Sequence, residues 1–273
     1  MMELPESKTL ARQINDTLIG KTIIDVIANS SPHKFAWFSG DPKDYHALLL
    51  NRKVIGGEAH GSTSEIYLDG VRLIFNDGAN VTYYVNEKDL PKKHQLFLKF
   101  DDNTYLVCTI QMYGGLLALK DGQTDKFNEI ARSKPDPLSD KFDFEYFKSL
   151  YSENDEKKSA KEFLATKQRI PGLGNGVLQD ILFNAKIHPR RKMGTLSDDE
   201  FILVFKSVKN TLKEMTDKGG RDTEKDLFGN NGGYCTKLSA KTINDPCKVC
   251  EGNINKEAYM GGNIYYCVNC QKK

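Results

Sequence analysis

No apolar stretch in this 273-residue chain is long enough to cross a membrane. No secretory leader is expected at its start, and a cytoplasmic location is. The chain also lacks a dominant charge: 39 Lys and Arg stand against 37 Asp and Glu, for a net +2. A surface that attracts polyanions everywhere is thereby excluded, so any such contact must come from local segregation of charge. Cysteine is scarce before the C-terminus. Cys108 sits in an apolar run and reads as a small core residue, whereas Cys235 lies in a loop and is expected to be partly exposed. A hydrophobic fraction of 39% is modest but sufficient for packed cores, and the length suits two domains or one domain with appendages.

The other four cysteines are the strongest feature present. Cys247-Lys-Val-Cys250 and Cys267-Val-Asn-Cys270 form two knuckles separated by 16 residues. Four thiolates at this spacing match a structural zinc ribbon, one zinc ion held tetrahedrally with no open position. Two disulfides are the alternative, which a cytoplasmic setting disfavours. Between the knuckles, Tyr259 to Tyr266 reads as a two-stranded finger with a turn at Gly261-Gly262-Asn263.

Three regions precede or include this ribbon. Residues 1–130 are mostly β-like behind a leading helix marked by Leu4, Leu10, Ile14 and Leu18 and stopped at Gly20. Short apolar runs follow at Thr22 to Ala28, Glu65 to Leu68, Val71 to Phe75, Val81 to Val85, Leu96 to Phe100, Tyr105 to Ile110 and Gly115 to Leu119. Turns at Asp69-Gly70, Asp77-Gly78 and Asp101-Asp102-Asn103 punctuate them, which suggests a β-sandwich. Residues 131–139 form a linker around Pro135 and Pro137. Residues 140–228 carry helical spacing at Glu145 to Tyr151, Ala160 to Thr166, Gly176 to Asn184 and Asp198 to Lys218, the last opened by a Ser197/Glu200 capping box. Residues 229–273 hold the finger. The expected class is α+β.

A glycine-rich turn, Ile170-Pro-Gly-Leu-Gly-Asn175, enters the third of these helices. Such a turn presents free backbone N–H groups that can hold a phosphate at the helix N-terminus, although most merely cap helices. Lys161 and Lys167 before it, and the basic run from Lys186 to Lys192 after it, favour the phosphate reading.

Taken together, three segments resemble the formamidopyrimidine-DNA glycosylase / endonuclease VIII (Fpg/Nei) family. They are Glu3-Leu4-Pro5-Glu6, then Pro171 to Asn175 with Ile181 to Pro189, and the ribbon ending in Cys270-Gln271. Weaker matches lie at Lys93-His94 and from Gly219-Gly220 to Thr223. The resemblance covers essentially the whole chain. It implies a β-sandwich joined to a helix–two-turn–helix domain with a zinc finger, and double-stranded DNA in the cleft between them, damaged or distorted. It carries DNA-binding roles onto Gly172, Gly174 and Asn175 in the turn, Lys161, Arg190 and Arg191 beside it, Tyr113 as a wedge, and Asn263 in the finger. A monomer is expected.

The family's chemistry uses an N-terminal proline amine that attacks the sugar carbon, with a neighbouring glutamate handling protons. Here the proline position holds Met2, and because removal of an initiator Met generally needs a small second residue, Met1 is expected to stay. Ser62 stands in the place of the phosphate-binding lysine, Gly262 in that of the finger arginine, and Gln111 in that of the arginine facing the orphan base. The methionine wedge aligns with Ala79. Glu3 and Glu6 persist as candidate catalytic carboxylates, or as helix-capping ones. Two main readings follow: a DNA-binding protein that has lost or reduced the glycosylase/lyase reaction, or a monofunctional glycosylase in which Glu3 or Glu6 activates water. A third is a protein-interaction module that has left DNA.

Overall fold

The computed structural model describes residues 1–76 and 78–273; the expected turn at Asp77 thus falls partly outside the described residues. The leading helix α1 (Leu4–Leu18) has Pro5 in its first turn, where a missing N–H costs nothing, and gives way to Gly20 at φ 91°. It serves two cores. Leu10, Ile14 and Leu18 enter the β core, while Leu4 enters the helical core. The start of α1 therefore sits at the junction of the two halves.

The strands β1 (Ile23–Ala28) and β2 (Ala36–Phe38) come next, then a short helix α2 (Tyr45–Leu49). After them come β3 (Val54–His60), β4 (Thr63–Leu68), β5 (Val71–Phe75), β6 (Ala79–Tyr84), β7 (Leu96–Phe100), β8 (Tyr105–Ile110) and β9 (Gly114–Lys120). They form a four-stranded antiparallel sheet, β1-β7-β8-β6, and a five-stranded sheet, β2-β9-β5-β4-β3, in which β2 alone pairs in parallel. Val26, Leu98, Leu106 and Cys108 from the first sheet share a core with Ile66, Leu73, Phe75 and Leu116 from the second. The alternation of apolar residues along these strands produces that shared interior.

Two strands and two helices depart from the sequence reading. β3 contains Gly56-Gly57 and is absent from the apolar runs of the sequence reading. The glycines are there because α1 lies directly on the strand: a Cβ at Gly57 would come 2.6 Å from Ile14 Cγ2. β2 is only three residues long. α2 and α3 (Lys126–Arg132) are short helices without a clear period. α3 is held by chemistry rather than by a stripe, since the fully buried Glu65 accepts from Asn128 Nδ2 at 2.7 Å and from Arg132 Nε at 3.1 Å.

The helical half contains α4 (Phe144–Ser149), α5 (Ala160–Ala165), α6 (Asn175–Asn184) and α7 (Asp198–Asp217) around Phe147, Phe163, Val177, Ile181, Val208 and Leu212. Ser197 caps α7 as expected. From α7 the segment 218–234 returns to the sandwich. Its Leu227 is buried in the β core and its backbone O accepts from Tyr83 N at 2.7 Å. Finally β10 (Ile254–Tyr259) and β11 (Gly262–Cys267) form the finger hairpin. Its turn is Met260-Gly261, both at positive φ, so Gly262 and Asn263 belong to the strand rather than to the turn expected of them.

Candidate functional site

The junction of the two halves is organised around Arg221, which is 3% exposed. Its Nε and Nη2 donate to Glu6 at 3.0 and 2.8 Å, its backbone N donates to Glu6 at 3.0 Å, and its Nη1 lies 3.4 Å from Glu3. Nη2 also donates to the carbonyl of Met1 at 3.0 Å. Glu3 reaches across to α6, where Gly176 N and Val177 N donate to it at 2.8 and 2.7 Å. A carboxylate at a helix N-terminus is favoured by the dipole and by unpaired N–H groups. Burial raises the Glu3 carboxyl above its ordinary value, with Arg221 opposing. Burial also acts on Glu6, but the Arg221 guanidinium and its hydrogen bonds hold that carboxyl below its ordinary value.

This arrangement changes the meaning of the glycine-rich turn. The first N–H groups of α6 are partly taken by Glu3, not wholly open. The glycines are required by packing: a Cβ at Gly174 would overlap the Glu3 carboxylate, and one at Gly176 the Arg221 guanidinium. Gly172 lies at φ 75°, and a Cβ there would come 2.6 Å from the carbonyl carbon of Gly61. The β3–β4 loop, carrying Gly61 and Ser62, therefore rests on the turn. Leu4 N donates to Gly172 O at 2.9 Å and Ser7 Oγ to Gly61 O at 2.6 Å.

The finger meets the same turn from the other side. Asn175 Nδ2 donates to Asn263 O at 2.9 Å, and Lys161 Nζ donates to Tyr259 O at 2.7 Å. Asn175 Oδ1 is buried with no hydrogen-bond partner. A Cβ at Gly262 would sit 3.4 Å from Asn175 Nδ2 and 3.6 Å from Lys161 Nζ. Gly172, Gly174, Asn175, Lys161 and Asn263 are thus brought together, with Ser62 and Gly262 flanking them. Arg190 lies over the Tyr259 ring at 4.8 Å and pairs with Glu257 at 3.0 Å. Arg191 points elsewhere, in a two-pronged pair with Glu200 at 2.6 and 2.7 Å that anchors the start of α7. Tyr113 is apart from the turn but next to the N-terminus, its Oη 3.2 Å from Met1 Sδ.

Sequence reasoning missed Arg221 and Glu224. The only signal was the Gly219-Gly220 pair before them, which positions Arg221 by turning the chain at the end of α7. Glu224 pairs with the Met1 amine, and Met2 is 8% exposed in the β core. Beside Met2, a cavity of about 40 Å³ is lined by Glu6, Leu10, Val81 and Glu224. That is room for about three water molecules.

The four knuckle cysteines converge, all four Sγ atoms lying within 4.8 Å of one another. Cys247 and Cys270 are 3.8 Å apart and Cys250 and Cys267 are 3.4 Å apart. These separations exceed a disulfide bond and suit four thiolates about 2.3 Å from one central ion. The cluster is a possible metal site of a structural kind, because no corner is left for water.

Two family models match the chain. Formamidopyrimidine-DNA glycosylase N-terminal domain covers residues 1–148, and Formamidopyrimidine-DNA glycosylase H2TH domain covers residues 134–226. Among curated relatives, formamidopyrimidine-DNA glycosylase of Cytobacillus firmus is 27% identical, covering 99% of this chain and 100% of the relative. That of Zymomonas mobilis is 28% identical, covering 100% of each chain. Among solved structures, a complex between the Lactococcus lactis Fpg and abasic-site DNA aligns with a TM-score of 0.83 at 20% identity, over 99% of this chain and 100% of that one. The MutM (Fpg) protein of Thermus thermophilus aligns with a TM-score of 0.81 at 21% identity, over 98% of each chain.

Proposed function

This chain belongs to the formamidopyrimidine-DNA glycosylase family, and we propose that within it the protein binds damaged or distorted double-stranded DNA without the base-excision and strand-cleavage reaction. The observation that carries this reading is the state of the N-terminus. The residue in the nucleophile's position is Met2, a side chain with no nucleophilic amine, and it is buried in the β core. The nearest amine, that of Met1, is displaced by one residue and paired with Glu224. A misplacement of about an ångström can already cost a hundredfold in rate.

The carboxylates support the same reading. Glu3 caps α6 and lies beside Arg221, and Glu6 accepts from Arg221 and from Glu3 N, so both have structural work that an exposed catalytic base would not have. Phosphate binding falls to the turn around Asn175, to Lys161 and Arg190, and to the finger, where one zinc ion held by Cys247, Cys250, Cys267 and Cys270 keeps β10 and β11 folded. Zinc in this setting supplies no chemistry beyond rigidity.

The experiment is incubation with a panel of duplexes carrying oxidised, abasic or mismatched sites, scored separately for binding, base release and nicking. Binding without release or nicking is expected. An efficient borohydride-trapped adduct with abasic DNA, which requires an imine, sinks the proposal. A monofunctional glycosylase is the second reading, favoured by the raised Glu3 carboxyl, since a buried acid can serve proton transfer. Base release without nicking, abolished in Glu3→Gln, would select it.

A further inference from the structure

A patch of exposed apolar side chains flanks the N-terminal site. Phe35 is 49% exposed, Trp37 56% and Met112 69%. Phe35 and Trp37 are brought beside the β8–β9 loop that carries Met112 and Tyr113 because β2 pairs in parallel with the start of β9, placing Trp37 opposite Gly115 and Phe35 O as acceptor for Gly114 N at 3.0 Å. Along β2, Ala36 and Phe38 pack against the β core, so the intervening Trp37 faces outward. The Trp37 and Tyr113 rings lie 6.3 Å apart, and Tyr113 in turn touches Met1. Lys34 Nζ sits 5.4 Å from the Phe35 ring centre and His33 edges onto the same ring at 6.4 Å. Large apolar groups held at the surface beside a lysine, on an edge strand and joined through Tyr113 to the N-terminus, have the composition of a platform for bases.

We propose that Phe35, Trp37 and Met112 extend the Tyr113 wedge into a stacking surface for unpaired bases, so that the protein selects duplexes containing a gap, bulge or mismatch over intact ones. Every base offers a π face, so stacking is tolerant of sequence. Lys34 supplies attraction to the adjacent backbone. The proposal rests on the DNA-binding reading above and goes beyond it by naming what is recognised: exposed base faces, not the chemistry of a lesion.

Trp37 is the chain's one tryptophan, so its fluorescence reports on this surface alone. The full-length protein is titrated with an intact duplex and with the same duplex carrying a three-nucleotide bulge. Binding is followed by anisotropy of labelled DNA, and Trp37 emission is recorded in parallel. Expected are strong quenching on the bulged duplex and a roughly tenfold affinity loss for it in Trp37→Ala. Trp37→Phe should recover most of the loss, and binding of the intact duplex should change little. Unchanged Trp37 emission at saturating bulged DNA overturns the proposal while leaving DNA binding intact, and so does an equal loss on both duplexes. Failure of the unaltered protein to bind either duplex removes both readings. Capture of a protein partner by this face, with DNA binding indifferent to Trp37, also overturns it. Because Trp37 is exposed, the thermal midpoint of Trp37→Ala should match that of the unaltered protein.

Discussion

Arg221 holds two carboxylates that would otherwise repel each other in a dry interior. Removing one partner of a buried charged group leaves the others uncompensated, so Arg221→Ala should lose about 3–5 kcal/mol of unfolding free energy, measured in denaturant. Arg221→Lys keeps the charge but cannot reproduce the donors now used by Glu6, and should fall between. A loss under about 1 kcal/mol in Arg221→Ala would mean that the three groups are not coupled as the geometry indicates. Asn175 acts at the surface of the same junction. Asn175→Ala should weaken binding on all DNA sequences alike, because phosphate contacts carry no base information. Anisotropy titrations on several duplexes at one salt concentration check this; a changed sequence preference with unchanged mean affinity contradicts it. Glu3 and Glu6 were legible in sequence as a pair with either a catalytic or a capping role. Their partner was not, because Arg221 is 215 residues from Glu6 and only the Gly219-Gly220 pair before it marks the place locally.

At the scale of elements, the pattern of apolar residues disclosed α1, α6, α7 and the longer strands, since those carry either an apolar stripe, as in α1 and α7, or a buried apolar run, as in α6, β8 and β9. It failed where a different force sets the structure. β3 was hidden because close approach by α1 demands glycine where an apolar pattern would need a side chain. α3 was hidden because it is fixed by buried polar bonds to Glu65 rather than by an apolar stripe. In the finger the hairpin was legible but its turn lies earlier in the chain than expected, and that shift puts Gly262 on the strand facing Asn175. The finger is too small to fold on its own apolar contacts, so metal binding and folding should be one event. Cys267→Ser is expected to carry no zinc by metal analysis and to lose the contacts from Lys161 and Asn175 to the hairpin. The sandwich should keep its own unfolding transition. A zinc-free finger that retains full DNA affinity would remove the hairpin from the interface.

For the whole molecule, the near balance of charge and the placement of its cations set how DNA is held. Arg191 is committed to Glu200, Arg190 to Glu257 and Lys161 to Tyr259 O. If Ser62 and Gly262 stand where the family has cations, as the resemblance implies, few phosphates can be neutralised, so log affinity against log salt should have a slope no steeper than about −3. A slope near about −8 would mean that many more contacts form. The same accounting separates the two halves of the family reaction in a repaired variant. Met2→Pro, with Met1 then removable, would supply a secondary amine in the family's register. Ser62→Lys and Gly262→Arg would return cations on either side of the turn, where Gly262 already lies beside Asn175 and Lys161. Attack on an abasic sugar needs these groups but no room for a base. Release of a damaged base needs room as well, and the cavity beside Met2 is about 40 Å³, lined on one side by Glu224 and Lys225 of the 218–234 segment that Leu227 pins into the β core. The triple variant should therefore nick abasic DNA measurably above the unaltered protein and form a borohydride adduct, yet still release no damaged base. Positioned charges are commonly worth a few kcal/mol each at a transition state, so restoring the two cations together with the proline amine should raise nicking by at least about a hundredfold. Base release by the triple variant would show that the 218–234 segment opens to admit a base, and no gain in nicking would show that the cleft does not bring an abasic sugar to the N-terminus.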